Sequence, residues 1–266
     1  MSKLDLERVT QIARAAALAP SEMIASAARD QSFEVEIKAD GSHLTEVDTQ
    51  AERMVRAVLS EAGYPHGAGV IGEEEGEEEG SAPWRWIIDP IDGTHPFSRD
   101  IPVYSTLVAL ENRETGEIVS GVAHLPGLNE TFWAWRGGGA WRDGKPIRVS
   151  ARTDLYETML STGSPYQYRQ SGVEHLHRRL FDATKDLRAF GDVYAHMAAA
   201  RGALDGVFDP DLSLWDFAPT KVIVEEAGGV VLVRETGRSR GHDVLLGAPA
   251  IVEQLAELLE FQETSS

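Results

Sequence analysis

The sequence predicts a mixed fold, α+β in its first half and α/β in its second half, and three observations support this prediction. Two N-terminal stretches, residues 3–29 and 48–61, place apolar side chains at the spacing of amphipathic helices. Short runs of strand-forming residues follow between residues 86 and 135, separated by Gly, Pro and Asn turns, which is typical of an antiparallel sheet. After residue 150, predicted helices and strands alternate.

The boundary between the two halves is predicted near Ser150, so that residues 1–150 and 151–266 form two parts of one compact unit without a long linker. The long first helix is expected to bend near Pro20, because proline inside a helix removes a backbone hydrogen bond. The predicted strands of the first half are 68–71, 86–88, 104–111, 118–125 and 131–135. The second half is predicted to contain strands at 158–161, 206–209 and 230–233, and helices at 172–187, 194–201, 216–227 and 248–259.

Composition excludes several classes of protein. The chain has 266 residues, no cysteine and a formal net charge of -18. Without cysteine there are no disulfides, thiolate metal sites or cysteine nucleophiles. The negative charge argues against nucleic acid or an anionic membrane as a partner, because both are bound through clustered Lys and Arg. No signal peptide and no apolar run of about 18 residues is found, so a soluble, cytoplasmic protein is expected.

One familiar phosphate-binding pattern can be set aside. The segment GAWRDGK, residues 139–145, has the glycine and lysine spacing of a P-loop, but Pro146 replaces the Ser or Thr that the P-loop requires. Asp143 and Gly144 instead favour the turn of a β-hairpin.

The most informative segment is WRWIIDPIDGT, residues 84–94. An apolar strand delivers Asp89 at its end, Pro90 favours a turn, and Asp92 returns within reach of Asp89. The segment could be only a turn with Asp89 as a cap, but two carboxylates about 4 Å apart would repel by roughly 4 kcal/mol at an effective dielectric near 20. A cation between them is therefore expected, and oxygen ligands suit Mg²⁺ or Mn²⁺. A bound metal would also let this acidic protein bind an anionic substrate.

Two phosphatase families are compatible with such a segment. Haloacid-dehalogenase-type phosphatases use DxDGT, with a nucleophilic Asp two residues before the acid, but here Pro90 occupies the position of the nucleophile. The sequence closely resembles the inositol monophosphatase family instead. The matching motifs lie in the family's order over about residues 35–250 and are GEE at 72–74, DPIDGT at 89–94 with Phe97, WDFAP at 215–219 and EAGG at 226–229.

The resemblance implies a layered αβαβα sandwich and a metal site. Its ligands would be the carboxylates of Glu73, Asp89, Asp92 and Asp216 and the carbonyl of Ile91. Two or three Mg²⁺ ions are implied, with Mn²⁺ as an alternative. Hydrolysis would use a water that the metal activates, and no covalent phosphoenzyme.

The resemblance also implies roles beside the metal. Gly93 and Thr94 would present N–H groups to the phosphate. Asp48 matches the family's Asp that pairs with this threonine and, with Glu74, would orient the attacking water. Lys38 lies near a lysine that the family keeps by the site, with a spacing to Asp48 that differs by one.

The resemblance implies a small phosphorylated alcohol as substrate, and two candidates stay open. Asp209 stands where inositol phosphatases place a glutamate against the substrate hydroxyls, while Asp192 replaces a small residue of those enzymes. The histidinol phosphatase branch has a similar Gly-Asp followed by Tyr, and an added carboxylate favours an ammonium group. L-Histidinol phosphate is therefore expected, with inositol 1-phosphate as the alternative, and Asp92 is also expected to contact the substrate.

Two further expectations follow. A non-catalytic, metal-binding relative is the main alternative to an enzyme, although such proteins usually lose a ligand. Family members commonly form dimers, so a homodimer is implied. In GVIGEEEGEEEG, residues 69–80, the first GEE follows a predicted strand and would hold the metal, whereas Glu77, Glu78 and Glu79 are expected to form a solvated, mobile loop.

Overall fold

A computed structural model describes residues 4–31, 33–37 and 43–262. Its helices are α1 Leu6–Leu18, α2 Ser21–Asp30, α3 Glu46–Ala62, α4 Thr94–Phe97, α5 Pro165–Gln170, α6 Glu174–Ala183, α7 Asp192–Ala200, α8 Leu214–Glu226 and α9 Pro249–Leu258. Its strands are β1 Glu36–Ile37, β2 His43–Leu44, β3 Gly69–Gly72, β4 Gly76–Glu78, β5 Trp84–Asp92, β6 Ser105–Asn112, β7 Glu117–Leu125, β8 Glu130–Trp135, β9 Ala140–Arg142, β10 Lys145–Pro146, β11 Met159–Thr162, β12 Asp186–Arg188, β13 Gly206–Leu212, β14 Val230–Glu235 and β15 His242–Gly247.

The first helical stretch is interrupted at the predicted position. The helix α1 ends at Leu18, and Pro20 is the residue that precedes α2. Helix α3 begins with a capping box, in which Thr45 and Asp48 exchange hydrogen bonds and so satisfy amides of the first turn. The cap places Asp48 in the first turn of α3, buried beneath the helix start.

The first sheet has the order β10-β9-β8-β7-β6-β5-β3-β4 and is antiparallel except for one pair. Strands β3 and β5 run parallel, with Gly72 opposite Ile88. The pairing of the two strands ends at this position, so Glu73, the residue after β3, emerges beside Asp89, the residue that follows Ile88 within β5. The N–H of Glu73 donates to the Ile88 carbonyl at 3.3 Å, which continues the pairing into the turn.

The second sheet has the order β12-β11-β13-β15-β14. Strand β15 was not predicted, because its apolar run is short and follows a loop rich in Gly, Ser and Arg. The helix predicted at 172–187 is present as α6, but it ends at Ala183, and residues 186–188 form the edge strand β12 instead. Helix α5, before Gly172, was not predicted. Gly172 has φ of +68°, a conformation that separates the two helices.

The layers follow the predicted αβαβα order. Helices α1 and α3 pack on the outer face of the first sheet, around Val9, Val55 and Ile88. Helices α7 and α8 fill the space between the two sheets. Helices α5, α6 and α9 cover the other face of the second sheet. The fold class predicted from the sequence is confirmed.

Residues 142–145 form a hairpin, and residues 76–78 form an edge strand. Arg142 pairs with Lys145 across Asp143 and Gly144, whose φ values of +49° and +78° are those of a tight hairpin turn, so the hairpin interpretation is confirmed. The expectation of a loop at residues 77–79 is wrong for Glu77 and Glu78, whereas Glu79 lies outside any strand. Residues 76–78 form β4, an exposed edge strand that pairs antiparallel with β3.

Glu77 of β4 and Glu79, which follows β4, are exposed but paired with arginines. Glu77 Oε1 lies 2.9 Å from Arg85 Nη1, and Glu79 forms an ion pair with Arg113. The pairing of β4 with β3 and the ion pairs with these arginines therefore give a regular strand to a segment whose run of charge alone predicted a loop.

None of the helices in the described part of the chain is long and apolar enough to cross a membrane.

Candidate active site

A bulge in β5 brings two aspartates to the same side of the first sheet. Asp89 is opposite Leu107 and Asp92 is opposite Ser105, so three steps along β5 correspond to two along β6. Residues three apart in a regular strand point to opposite faces, and the extra residue reverses the second of them. Pro90 suits such a bulge, since it has no N–H to contribute to the ladder.

Asp216 joins the two aspartates from the other half of the chain. It occupies the first turn of α8, where its Oδ2 accepts a hydrogen bond from the Ser213 N–H at 2.9 Å. One carboxylate oxygen from each of Asp89, Asp92 and Asp216 lies within 4.8 Å of the others, and all three residues are buried. Only these three residues form such a group of possible metal ligands in the described part of the chain.

The remaining contacts leave carboxylate oxygens directed into this cluster. Asp92 Oδ2 accepts hydrogen bonds from Ser105 Oγ and from the Val193 N–H, both at 3.0 Å. Asp89 is 1% exposed, and its Oδ1 has no hydrogen-bond partner among the described residues. A buried carboxylate oxygen without a donor is costly unless a cation binds it. The all-oxygen donor set fits Mg²⁺ or Mn²⁺.

Burial and mutual repulsion make the cluster electrostatically unfavourable on its own. Burial raises the pKa of Asp89 well above its ordinary value, and neighbouring carboxylates, with Glu73 first, raise it further. Burial is also the main cause that raises the pKa of Asp92, and the charge of Asp192 raises it further. Burial raises the pKa of Asp216 to about 6, although Arg240 opposes the rise. A divalent cation among these carboxylates would relieve the repulsion and favour their ionised forms.

Asp48 connects the cluster to the hydroxyl of Thr94. Asp48 Oδ2 accepts from the Thr45 N–H at 2.8 Å and from Thr45 Oγ1 at 2.6 Å, while Oδ1 lies 3.2 Å from Thr94 Oγ1. Thr94 Oγ1 is also 3.0 Å from the Ile91 carbonyl oxygen. Its single proton can therefore be donated either to Asp48 Oδ1 or to this carbonyl. Burial raises the pKa of Asp48 to about 6 against the opposing effect of the Thr45 bonds.

Gly93 and Asp192 lie against each other at the edge of the cluster. Gly93 has φ of +80°, and a Cβ at this position would lie 3.3 Å from Asp192 Oδ2. Asp192 begins α7 and has φ of +59°, an uncommon conformation for a residue other than glycine. Burial, followed by the charges of Asp209 and Asp216, raises the pKa of Asp192 to about 7. The charge of Asp192 therefore depends on what binds beside it.

Asp209 is buried on β13 beside a histidine that sequence reasoning missed. Its Oδ1 has no hydrogen-bond partner among the described residues, and its Oδ2 lies 3.6 Å from His196 Nε2. His196 Nδ1 is 3.0 Å from Thr220 Oγ1, which itself donates to the Phe217 carbonyl. The threonine therefore accepts the proton of Nδ1, and Nε2 faces the carboxylate.

Arg240 is the second residue that sequence reasoning missed. It lies in the loop between β14 and β15, and its Nη1 is 3.5 Å from Asp216 Oδ2. Asp211 Oδ1 holds this loop by accepting from the N–H groups of Arg240 and Gly241 at 3.2 and 3.3 Å. No local pattern signals the contact, because the two segments meet only through the pairing of β13 with β15.

The structure thus gathers most of the predicted residues. Glu73 is not a member of the 4.8 Å group, although its charge raises the pKa of Asp48, Asp89 and Asp216. The N–H of the next residue, Glu74, donates to a buried carboxylate of α3. Lys38 lies outside the described residues.

Comparison with known proteins identifies the family. The model of the inositol monophosphatase family matches residues 5–263. The chain belongs to the inositol monophosphatase family. It is 33% identical over 245 residues to an inositol-1-monophosphatase of Rhizobium meliloti, covering 88% of this chain and 91% of the relative. It is 38% identical over 234 residues to a histidinol-phosphatase of Streptomyces coelicolor, covering 81% and 86%.

The solved structures agree. The extragenic suppressor protein suhB of Bartonella henselae superposes with a TM-score of 0.86 at 29% identity, covering 96% of this chain and 99% of that one. Membership of the inositol monophosphatase family makes this protein a phosphatase and confirms the predicted enzyme class. It also removes the haloacid-dehalogenase alternative. The family is one of metal-dependent phosphatases, in agreement with the aspartate cluster.

Proposed function

We propose that this protein is a Mg²⁺-dependent phosphomonoesterase whose metal ligands are Glu73, Asp89, Asp92, Asp216 and the Ile91 carbonyl. The observation that carries the proposal is the buried cluster of three aspartate oxygens within 4.8 Å, one of whose members has an oxygen without a hydrogen-bond donor. When bound, two or three divalent cations supply charge neutralisation and lower the pKa of a coordinated water. Mn²⁺ suits the same donors.

The residues around the cluster position the reactants. Asp48 holds the Thr94 hydroxyl through Oδ1 while its other oxygen stays fixed by Thr45. In this proposal Asp48, Thr94 and Glu74 orient the attacking water. The N–H groups of Gly93 and Thr94 bind phosphate oxygens, since amides at a helix start lack intrahelical partners.

The proposed substrate is L-histidinol phosphate. Relatives with similar identities carry both names, so their names do not discriminate between the two candidate substrates. The discriminating feature is the pair Asp192 and Asp209, two carboxylates next to the aspartate cluster. An ammonium group gains charge-assisted hydrogen bonds from ionised carboxylates and stabilises their ionised form, whereas a neutral polyol gains less. Arg240 and His196 also favour the ionised form of Asp192 by lowering its pKa.

The test compares three substrates at fixed Mg²⁺: L-histidinol phosphate, the same phosphate without its amino group, and inositol 1-phosphate. We expect kcat/KM to be highest for L-histidinol phosphate. Asp192→Asn keeps the shape of the side chain and should lower this value by roughly 10- to 100-fold, the cost of one hydrogen bond to a charged group. The same variant should change inositol 1-phosphate hydrolysis far less.

The outcomes separate the levels of the proposal. Faster hydrolysis of inositol 1-phosphate, or equal rates with and without the amino group, would overturn the assignment of substrate but leave the phosphomonoesterase intact. Hydrolysis that continues in full after chelation of divalent cations would overturn the metal dependence. The activation by Mg²⁺ is measured for Asp192→Asn as well, since Asp192 also influences the pKa of Asp92.

A further inference from the structure

The turn that carries Glu73 and Glu74 rests on a glutamate of helix α3. Glu52 is fully buried. Its Oε2 accepts from the N–H of Glu74 at 2.8 Å, and its Oε1 accepts from the N–H of Glu75 at 3.2 Å. One carboxylate therefore binds two consecutive amides of the turn that follows β3, and these are the amides next to the proposed metal ligand Glu73.

An arginine one helical turn further on completes this support. Arg56 Nε lies 2.8 Å from Glu52 Oε1, and Arg56 Nη2 donates to the Gly76 carbonyl at 2.6 Å. Arg56 neutralises the buried carboxylate. The two side chains bind both sides of the turn, because Glu52 accepts from the amides of Glu74 and Glu75 and Arg56 donates to the Gly76 carbonyl. A buried ion pair with its remaining oxygens hydrogen-bonded fixes geometry even where it adds little stability.

Gly72 is required for this close approach. A Cβ at Gly72 would lie 2.1 Å from Glu52 Oε1 and 2.4 Å from its carboxyl carbon. The glycine that opens the GEE motif thus lets a carboxylate of α3 reach the backbone directly behind Glu73. The same residue is the last of β3, where it pairs with Ile88 of β5.

We infer that Glu52 is a positioning residue of the cation site, which fixes the backbone of Glu73–Glu75 so that the Glu73 carboxylate faces Asp89. The inference rests on the proposed function, because the cation is what gives the position of Glu73 its importance. Glutamine at this site offers one acceptor oxygen, so one of the two amides would face an NH₂ group instead. Loss of such supporting hydrogen bonds typically weakens metal binding by about 10- to 100-fold.

The experiment measures Mn²⁺ binding directly, by electron paramagnetic resonance of the free ion or by calorimetry, on the full chain. Glu52→Gln should raise the Mn²⁺ dissociation constant by about 10- to 100-fold. The Mg²⁺ concentration for half-maximal activity should rise in parallel, while kcat at saturating Mg²⁺ stays within about threefold of the wild-type value, since the ligands themselves are unchanged.

The matched control is Glu111→Gln. Glu111, on β6 of the first sheet, is also buried and paired with an arginine, since its Oε2 lies 2.7 Å from Arg85 Nη2. Its carboxylate accepts from Arg85 Nε, far from the amides of residues 73–75 that Glu52 binds. Both variants should lose stability, but only Glu52→Gln should bind Mn²⁺ more weakly. Wild-type affinity in Glu52→Gln, or equal weakening in the two variants, would overturn the inference.

A second variant covers the case in which Glu52→Gln does not fold. Arg56→Gln removes the partner of the same carboxylate from a less buried position and should weaken Mn²⁺ binding in the same direction. Unchanged binding in Arg56→Gln would then overturn the inference. If the wild-type protein binds Mn²⁺ but hydrolyses no phosphate monoester, the proposed function fails and the positioning role of Glu52 stands. If the wild-type protein binds no Mn²⁺, both fail.

Discussion

Removal of divalent cations should make the stability of this protein fall as the pH rises from 5 to 8. In the metal-free protein, burial raises the pKa of Asp48 from 3.8 to about 6. The folded state then binds the proton more tightly than the unfolded state, so this stabilisation is complete below about pH 4 and is lost as the pH rises through 6. At about 1.4 kcal/mol per pKa unit, Asp48 alone accounts for roughly 3 kcal/mol over its whole titration, of which about 1.4 kcal/mol is lost between pH 5 and pH 8.

The rest of the cluster acts in the same direction. The pKa of Asp216 also rises to about 6, and that of Asp89 rises well above its ordinary value. These contributions do not add, because the groups repel one another. For a chain of this size, a loss of about 1.4 kcal/mol between pH 5 and pH 8 corresponds to a fall in Tm of about 3 to 6 °C. Mg²⁺ should restore most of this loss at pH 8 and little at pH 5, where the ligands are protonated.

The assay is thermal or urea unfolding followed by circular dichroism, with chelator or with Mg²⁺, at pH 5 and pH 8. Asp89→Asn removes the central charge and is the control: its metal-free form should depend less on pH and should not respond to Mg²⁺. The difference between wild type and Asp89→Asn reports the contribution of Asp89, because the titration of Asp48 and of groups elsewhere is common to both proteins. If that difference does not change between pH 5 and 8, or if Mg²⁺ stabilises the wild type equally at both, the electrostatic reasoning is refuted.

Two further predictions concern single positions. Glu73→Gln should abolish Mg²⁺-dependent turnover, whereas Glu77→Gln, at an exposed position paired with an arginine of β5, should leave kcat/KM within about twofold, and the reverse result would place the ligand on β4. Gly121→Ala should destabilise the fold by about 1–3 kcal/mol in urea unfolding, because a Cβ there would lie 2.3 Å from the Pro219 carbonyl of α8. Gly237→Ala, with open space around the added methyl group, should change the stability by less than about 1 kcal/mol, and an equal loss in both would show that the contact with α8 is not the cause.

The aspartates of β5 could be predicted because their chemistry is local. Two carboxylates after an apolar strand, with a proline between them, indicate a turn and a cation from the sequence alone. The bulge that turns Asp92 to the side of Asp89 could not be derived from alternation, which places residues three apart on opposite faces. The family resemblance supplied Asp216, since nothing in the local sequence connects a residue of α8 with β5.

The residues that were missed share a different property. His196, Arg240 and Glu52 act through contacts between distant segments, and the local sequence around each favours an ordinary interpretation. Glu52 and Arg56 are four apart on a helix, a spacing typical of solvent-exposed ion pairs. The structure buries Glu52 completely because Gly72 of β3 leaves room for it. Strand β15 escaped prediction for a related reason, since its partners β13 and β14 define it more than its own composition does.

The repeated GEE shows how strand direction assigns different roles to identical residues. Strand β3 runs parallel to β5 and ends at Gly72, opposite Ile88, so Glu73 emerges beside Asp89 while β5 continues to Asp92. Strand β4 returns antiparallel, with Glu77 opposite Ile71 and Glu78 opposite Val70. Each successive residue of β4 therefore lies about 3.3 Å further from the end of β3 where the aspartates lie. The first GEE reaches the cluster because the parallel pairing of β3 with β5 ends there. The second GEE lies on the antiparallel edge strand β4, where Glu77 pairs with Arg85 of β5.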